Sequence, residues 1–163
     1  MIAGGAERDR VLVACVGNLF LGDDGFGVEV ARRLLARPAR EGVRVRDFGI
    51  RGLDLLFALE RCDAAVIVDT VRRGGPAGTL YVLAPDEADG WRGLPDGHAM
   101  TPDRVLGALD RRAMPRVVRV LGCEPASFGG EDGAMGLTPE VDAALGPAVE
   151  LVDKVVTELL GDA

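Results

Sequence analysis

GNLFLGDDGFG, residues 17–27, follows the apolar run VLVACV at 11–16 and passes into GFGVEVARRLL at 25–35. An apolar run without alternation is the pattern of a strand buried on both faces, and the segment after it returns to the spacing of an amphipathic helix. The local order is therefore strand, glycine loop, helix. Such a loop lies at the carboxyl edge of a sheet, where open α/β folds place their ligands. The glycines Gly17, Gly22, Gly25 and Gly27 fit neither G-x-G-x-x-G nor the P-loop spacing, and no Lys-Ser/Thr follows them. The adjacent carboxylates of Asp23 and Asp24 would also repel a pyrophosphate. One of the pair suits the N-cap of the following helix, a position Asp fills well. A helix takes one cap, so the second Asp needs another role, and the turn is read as the bearer of the chemistry.

Beyond this turn, VRVRD at 43–47 reads as a second strand, GLDLLFALERC at 52–62 as a short amphipathic helix, and AAVIVD at 64–69 as a third strand. The third strand is uniformly apolar and ends in a carboxylate, Asp69. Strands alternating with helices predict a parallel sheet. TLYVL at 79–83 is reached through VRRGGPAG at 71–78, too short for a parallel crossover, so this strand is expected antiparallel at an edge. Residues 84–100 form a polar loop that holds His98, the only histidine. Thr101-Pro102-Asp103 has the form of a helix start, RVVRVL at 116–121 is the fifth strand, and an irregular loop spans 122–136. A last helix begins at Thr138-Pro139-Glu140 and runs to about Leu160, with an interruption expected at Gly146-Pro147. Tyr81 and Trp91 are read as packing residues. The expected architecture is α/β and three-layered: a twisted, mostly parallel five-stranded sheet with one antiparallel edge strand and helices on both faces, in a single domain over residues 1–163.

Composition narrows the function. A chain of 163 residues with 23 glycines, 48% hydrophobic and only 4% aromatic residues suits an α/β core of Val, Leu and Ala. The formal charge of −7 argues against nucleic acid or an anionic membrane as partner. The amino terminus MIAGGAERDR has no long apolar segment, and the expected location is cytoplasmic. Cys15, Cys62 and Cys123 are widely spaced with no CxxC, which indicates buried free thiols rather than a disulfide framework or a zinc site.

Asp24, Asp69 and His98 all fall on loops leaving strand ends, so two carboxylates and an imidazole can converge at one edge. Nitrogen and oxygen donors of this kind suit a divalent ion such as Ni²⁺ or Zn²⁺ with open positions for a substrate. A lone histidine in a polar loop is a surface residue more often than a ligand. A carboxylate that ends an apolar strand, as Asp69 does, needs a partner or a task. Nucleophile schemes have weaker support, because Ser127, the only serine, has no G-x-S-x-G around it and Cys123 would have to reach His98 across two loops.

These blocks resemble the NiFe-hydrogenase maturation proteases, endopeptidases that trim the carboxyl-terminal tail of the hydrogenase large-subunit precursor after nickel insertion. The resemblance spans nearly the whole chain, through GNLFLGDDGFG at 17–27, DFGIRG at 47–52, VIVDTVRRGGPAGTLYVL at 66–83, GHAMTP around His98, GCEP at 122–125 and GLTPEV at 136–141. It implies that Asp24, Asp69 and His98 are nickel ligands, with the nickel supplied by the substrate and no organic cofactor. It also implies that Asp47, in an Asp-x-Gly loop, helps to engage the substrate, with Asn18, Gly49 and Arg51 as further substrate contacts. For the hydrolysis, a water activated by Asp47 or Asp24 and a metal-bound water are comparable options, of which carboxylate chemistry is preferred. The implied partner is the large-subunit precursor, met by a cytoplasmic monomer. The family often reads DGGT where this chain has Asp47-Phe48-Gly49-Ile50, a departure that keeps Asp47 and Gly49 but removes a hydroxyl from the substrate-contacting loop. It often has Ser-Ser or Ser-Pro where Asp96-Gly97 precedes His98, which points to a different subfamily and hydrogenase partner. A non-cleaving nickel checkpoint on the same precursor is the alternative from another class, and a small-molecule hydrolase is a third.

Overall fold

Strand β1, Asp9–Val16, is an interior strand of the sheet that leads into the glycine turn, and all of Val11 to Cys15 is buried. In this computed structural model, which describes residues 8–50, 52–85 and 115–161, β1 runs through a 3-10 turn at Gly22–Gly25 into helix α1, Phe26–Leu35. Strand β2 (Val43–Gly49), helix α2 (Gly52–Leu59), strand β3 (Cys62–Thr70), strand β4 (Leu80–Leu83), strand β5 (Val117–Cys123) and helix α3 (Pro139–Gly161) follow. The strand order is β2-β1-β3-β5-β4. β1 is parallel to β2 and β3, β3 is parallel to β5, and β4 is antiparallel to β5.

The antiparallel edge strand is thus as expected, with one refinement. β4 does not pair with its chain neighbour β3; the short connection passes across the end of β5, which lies between them. Val71 N–H donates to Cys123 C=O and Gly78 N–H to Glu124 C=O, so this connection is tied to the end of β5 as it crosses.

Alternate residues of β1 feed two cores. Val11, Val13 and Cys15 pack with α1 and α3, whereas Leu12 and Ala14 pack with Phe48 and with Leu55 and Leu59 of α2. This alternation is the period of two in a strand, and it makes the fold three-layered with helices on both faces.

The expected interruption at Gly146-Pro147 does not occur, and α3 is one helix with Pro147 inside it. Pro147 removes one backbone donor, but the buried stripe Val141, Ala144, Leu145, Ala148, Val152, Val155, Val156 and Leu159 keeps helical spacing through it. Continuous burial on that face outweighs one lost hydrogen bond. The α2 boundary also differs: the helix ends at Leu59 because Cys62 already pairs with Asp9 as the first residue of β3. The helix start at Thr101-Pro102-Asp103 and Trp91 lie outside the described residues.

Gly27 lets α1 sit against the ends of two strands. A Cβ there would run into the carbonyl oxygens of Val16 and Val68, the latter at 2.8 Å. Gly27→Ala is expected to lower stability by about 2 kcal/mol or more, seen as a fall in the denaturant midpoint with unchanged m. An unaltered midpoint would show that the helix can retreat freely.

Candidate active site at the carboxyl edge

The four parallel strands end along one edge, and the carboxylates singled out from the sequence meet there. The two adjacent aspartates of the glycine turn have separate roles, and neither caps α1: its N-cap is Gly25, with no side-chain cap. Asp23 is fully buried and is taken up by the loop that follows β5. Its Oδ2 accepts from Ala126 N at 2.8 Å and Ser127 N at 3.0 Å, and its Oδ1 accepts from Thr138 N at 2.7 Å. The Thr138 hydroxyl donates to it as well, at 2.9 Å to Oδ2. Asp23 therefore ties the first turn to the 126–138 loop and to the residue before α3. Each of these partners lies more than a hundred residues away in the chain.

Asp24 is half-buried and accepts at Oδ1 from the Thr70 hydroxyl at 3.2 Å. Burial raises its pKa above the ordinary carboxylate value, and hydrogen bonds from Thr70 and from the Asn18 backbone counter this in part. Asp69, 3% exposed, accepts from Thr70 N at 2.7 Å. Thr70 thus serves both carboxylates, its amide on Asp69 and its hydroxyl on Asp24. The sequence reading missed Thr70, although a hydroxyl directly after a strand-ending Asp is a visible signal for it.

Asp47 is exposed at the end of β2, opposite Cys15 in the ladder, and accepts from Gly49 N at 2.8 Å. The ladder slips by one residue here, so Phe48 turns into the core and Gly49 takes φ +54°. The slip aims Asp47 outward at the edge. Gly17 N–H donates to Gly49 C=O at 3.0 Å, which joins the Asp-x-Gly loop to the glycine turn. The Cys15 thiol is pushed far up, first by burial and then by the negative charges of Asp47 and Asp69 on either side of it. Asn18 points its Oδ1 at Phe20 N, at 2.9 Å, and so shapes its own loop. His98 and Arg51 lie outside the described residues. Among the described residues, no group of three or more His, Cys, Asp or Glu side chains is arranged to hold a metal ion.

A third buried carboxylate, after Asp23 and Asp69, escaped the sequence reading. Glu124, 6% exposed, accepts from Arg73 N at 2.8 Å, Gly74 N at 3.0 Å and the Tyr81 hydroxyl at 3.1 Å. It holds the connection after β3 against the end of β5. Its signal was the one that flagged Asp69, a carboxylate closing an apolar strand.

The three cysteines are free and buried, as expected. Burial, with the charges of Asp23 and Glu124 adding to it, pushes the Cys123 thiol up to about 12, so no thiolate is available near neutral pH. All three thiols should resist alkylation at pH 8 until the protein unfolds; fast labelling of Cys123 with loss of activity would reopen a thiol mechanism. Among the described residues no helix is long and apolar enough to cross a membrane.

A family model described as hydrogenase maturation protease matches residues 28–155. The chain is similar to the hydrogenase 2 maturation protease of Escherichia coli, with 30% identity over 148 residues and 88% of each chain covered. It is also similar to the hydrogenase expression/formation protein HupD of Bradyrhizobium diazoefficiens, 29% identical over 157 residues, covering 94% of this chain and 81% of that one. Of the solved structures, the hydrogenase maturating endopeptidase HybD from Escherichia coli has a TM-score of 0.78 at 29% identity, with 91% of this chain and 93% of that one covered. Sequence and fold agree along nearly the full length, and the chain belongs to the hydrogenase maturation protease family.

Proposed function

We propose that this protein is a cytoplasmic endopeptidase that removes the carboxyl-terminal tail of a NiFe-hydrogenase large-subunit precursor once nickel has been inserted. The nickel belongs to the substrate. Asp24, Asp69 and His98 take hold of it while the precursor is docked, so that metal loading licenses the cut. Neither an organic cofactor, nucleic acid nor a membrane takes part, and the protein acts as a monomer.

The observation that supports this reading most is the pair Asp24 and Asp69, linked through Thr70 at the carboxyl edge, in a chain of the maturation protease family. Oxygen and imidazole donors suit nickel. A half-buried carboxylate with a raised pKa is poised for this task, because an arriving divalent ion replaces the solvation that burial removed. Asp47, exposed beside this pair, is the base that activates water against the scissile carbonyl, with Asp24 the second candidate. Asn18, Gly49 and Arg51 complete the substrate contacts.

Mixing purified protein with nickel-loaded and nickel-free precursor, and weighing the large subunit by mass spectrometry, tests this reading against a non-cleaving checkpoint. Loss of the tail from the nickel-loaded form alone is expected. A stable complex with an intact tail would favour the checkpoint.

A further inference from the structure

We propose that Arg72, stacked on Phe128 at the rim of the candidate site, is a specificity-determining residue that receives an acidic side chain of the precursor's tail. The inference rests on the proteolytic reading above and names a feature of the substrate that the same site selects. The Arg72 guanidinium carbon lies 4.4 Å from the centre of the Phe128 ring. Stacking fixes the guanidinium plane and leaves its N–H edge free for two parallel bonds to a carboxylate. Arg72 is exposed and, among the described residues, makes no ion pair; Arg46, 4.6 Å over the Phe48 ring, also makes none but is only partly exposed.

Its position ties it to the site. Arg72 is two residues beyond Thr70, whose hydroxyl bonds Asp24. Phe128 follows Ser127, whose amide donates to the Asp23 carboxylate and whose carbonyl accepts from Asp23 N at 3.0 Å. The stack therefore bridges the loop after β3 and the loop that buttresses the Asp23-Asp24 turn. The backbone on both sides of Arg72 is anchored, Val71 N–H on Cys123 C=O and Arg73 N–H on the Glu124 carboxylate. A cation held this way is a fixed receptor for an anion. Asp and Glu side chains are the anions that a polypeptide segment brings to it.

Steady-state processing of the nickel-loaded precursor tests the assignment, using Arg72→Ala, Arg72→Glu and a precursor set in which each tail Asp or Glu becomes Asn or Gln. Arg72→Ala is expected to raise KM about tenfold with kcat within about twofold, as loss of one charge-assisted contact made in both ground and transition states would do. One acid-to-amide change in the tail should reproduce that rise with the unaltered enzyme and add nothing to Arg72→Ala. Arg72→Glu should recover when that tail residue is replaced by Lys. Where wild-type enzyme removes the tail, an unchanged KM for Arg72→Ala and Arg72→Glu, or a precursor set in which no acid-to-amide change raises KM, would overturn the proposal. A wild type that leaves the tail of nickel-loaded precursor intact would overturn the proteolytic reading itself.

Discussion

Asp24→Asn is expected to reduce processing of nickel-loaded precursor by more than about 100-fold, since even the partners of metal ligands cost up to that much when removed. The fold should be undisturbed. Asn keeps the size of Asp24 and can accept from the Thr70 hydroxyl, but it lacks the charge that a divalent ion needs. The raised pKa of Asp24 gives this prediction a pH signature. A carboxyl whose pKa is higher folded than unfolded contributes stability that is fully present below the unfolded pKa and lost as pH rises through the folded one. At neutral pH the ionised group is thus a burden, and Asp24→Asn should unfold at the same temperature or a higher one, the difference shrinking in acid. Activity has the opposite slope: nickel needs the ionised form, so wild-type processing should fall as pH drops through this raised value. A pH series of thermal melts beside cleavage rates checks both signs.

Asp23→Ala should do the reverse and strike the fold. Removing a fully buried carboxylate leaves the amides of Ala126, Ser127 and Thr138 without their acceptor. Breaking a buried charged network of this kind costs about 3–5 kcal/mol, so denaturant unfolding should show a large fall in midpoint. Asp23→Asn should lie between, because its amide oxygen still accepts while its NH₂ cannot. If Asp23→Ala melted like wild type, the clamp between the glycine turn and the 126–138 loop would have no energetic weight.

The contrast between these neighbours shows where sequence patterns stop being informative. Buried strands such as VLVACV and AAVIVD, and the short link from β3 to β4, were legible because strand period and crossover length act within one segment. That Asp24 meets Thr70 while Asp23 is buried as a clamp was not legible, since Asp23 is defined by partners 103 to 115 residues away. The passage of the chain across β5 to reach β4, and the Glu124 clamp on that passage, are likewise long-range. Phe48 looked like a departure within the Asp-x-Gly loop; it is the residue that a slipped ladder turns into the core beside α2. Pro147 misled for a related reason: a local helix-breaking signal gave way to burial along the whole face of α3.

The central claim is that the carboxylates of this edge take hold of the nickel seated in the precursor. Nickel X-ray absorption, recorded on precursor alone and on precursor rapidly frozen with excess enzyme before the first turnover ends, addresses it directly. New oxygen or nitrogen scatterers on nickel are expected in the mixture, absent when Asp24→Asn replaces the wild type. Identical spectra with and without wild-type enzyme, in samples whose tail is then removed at the normal rate, would contradict it.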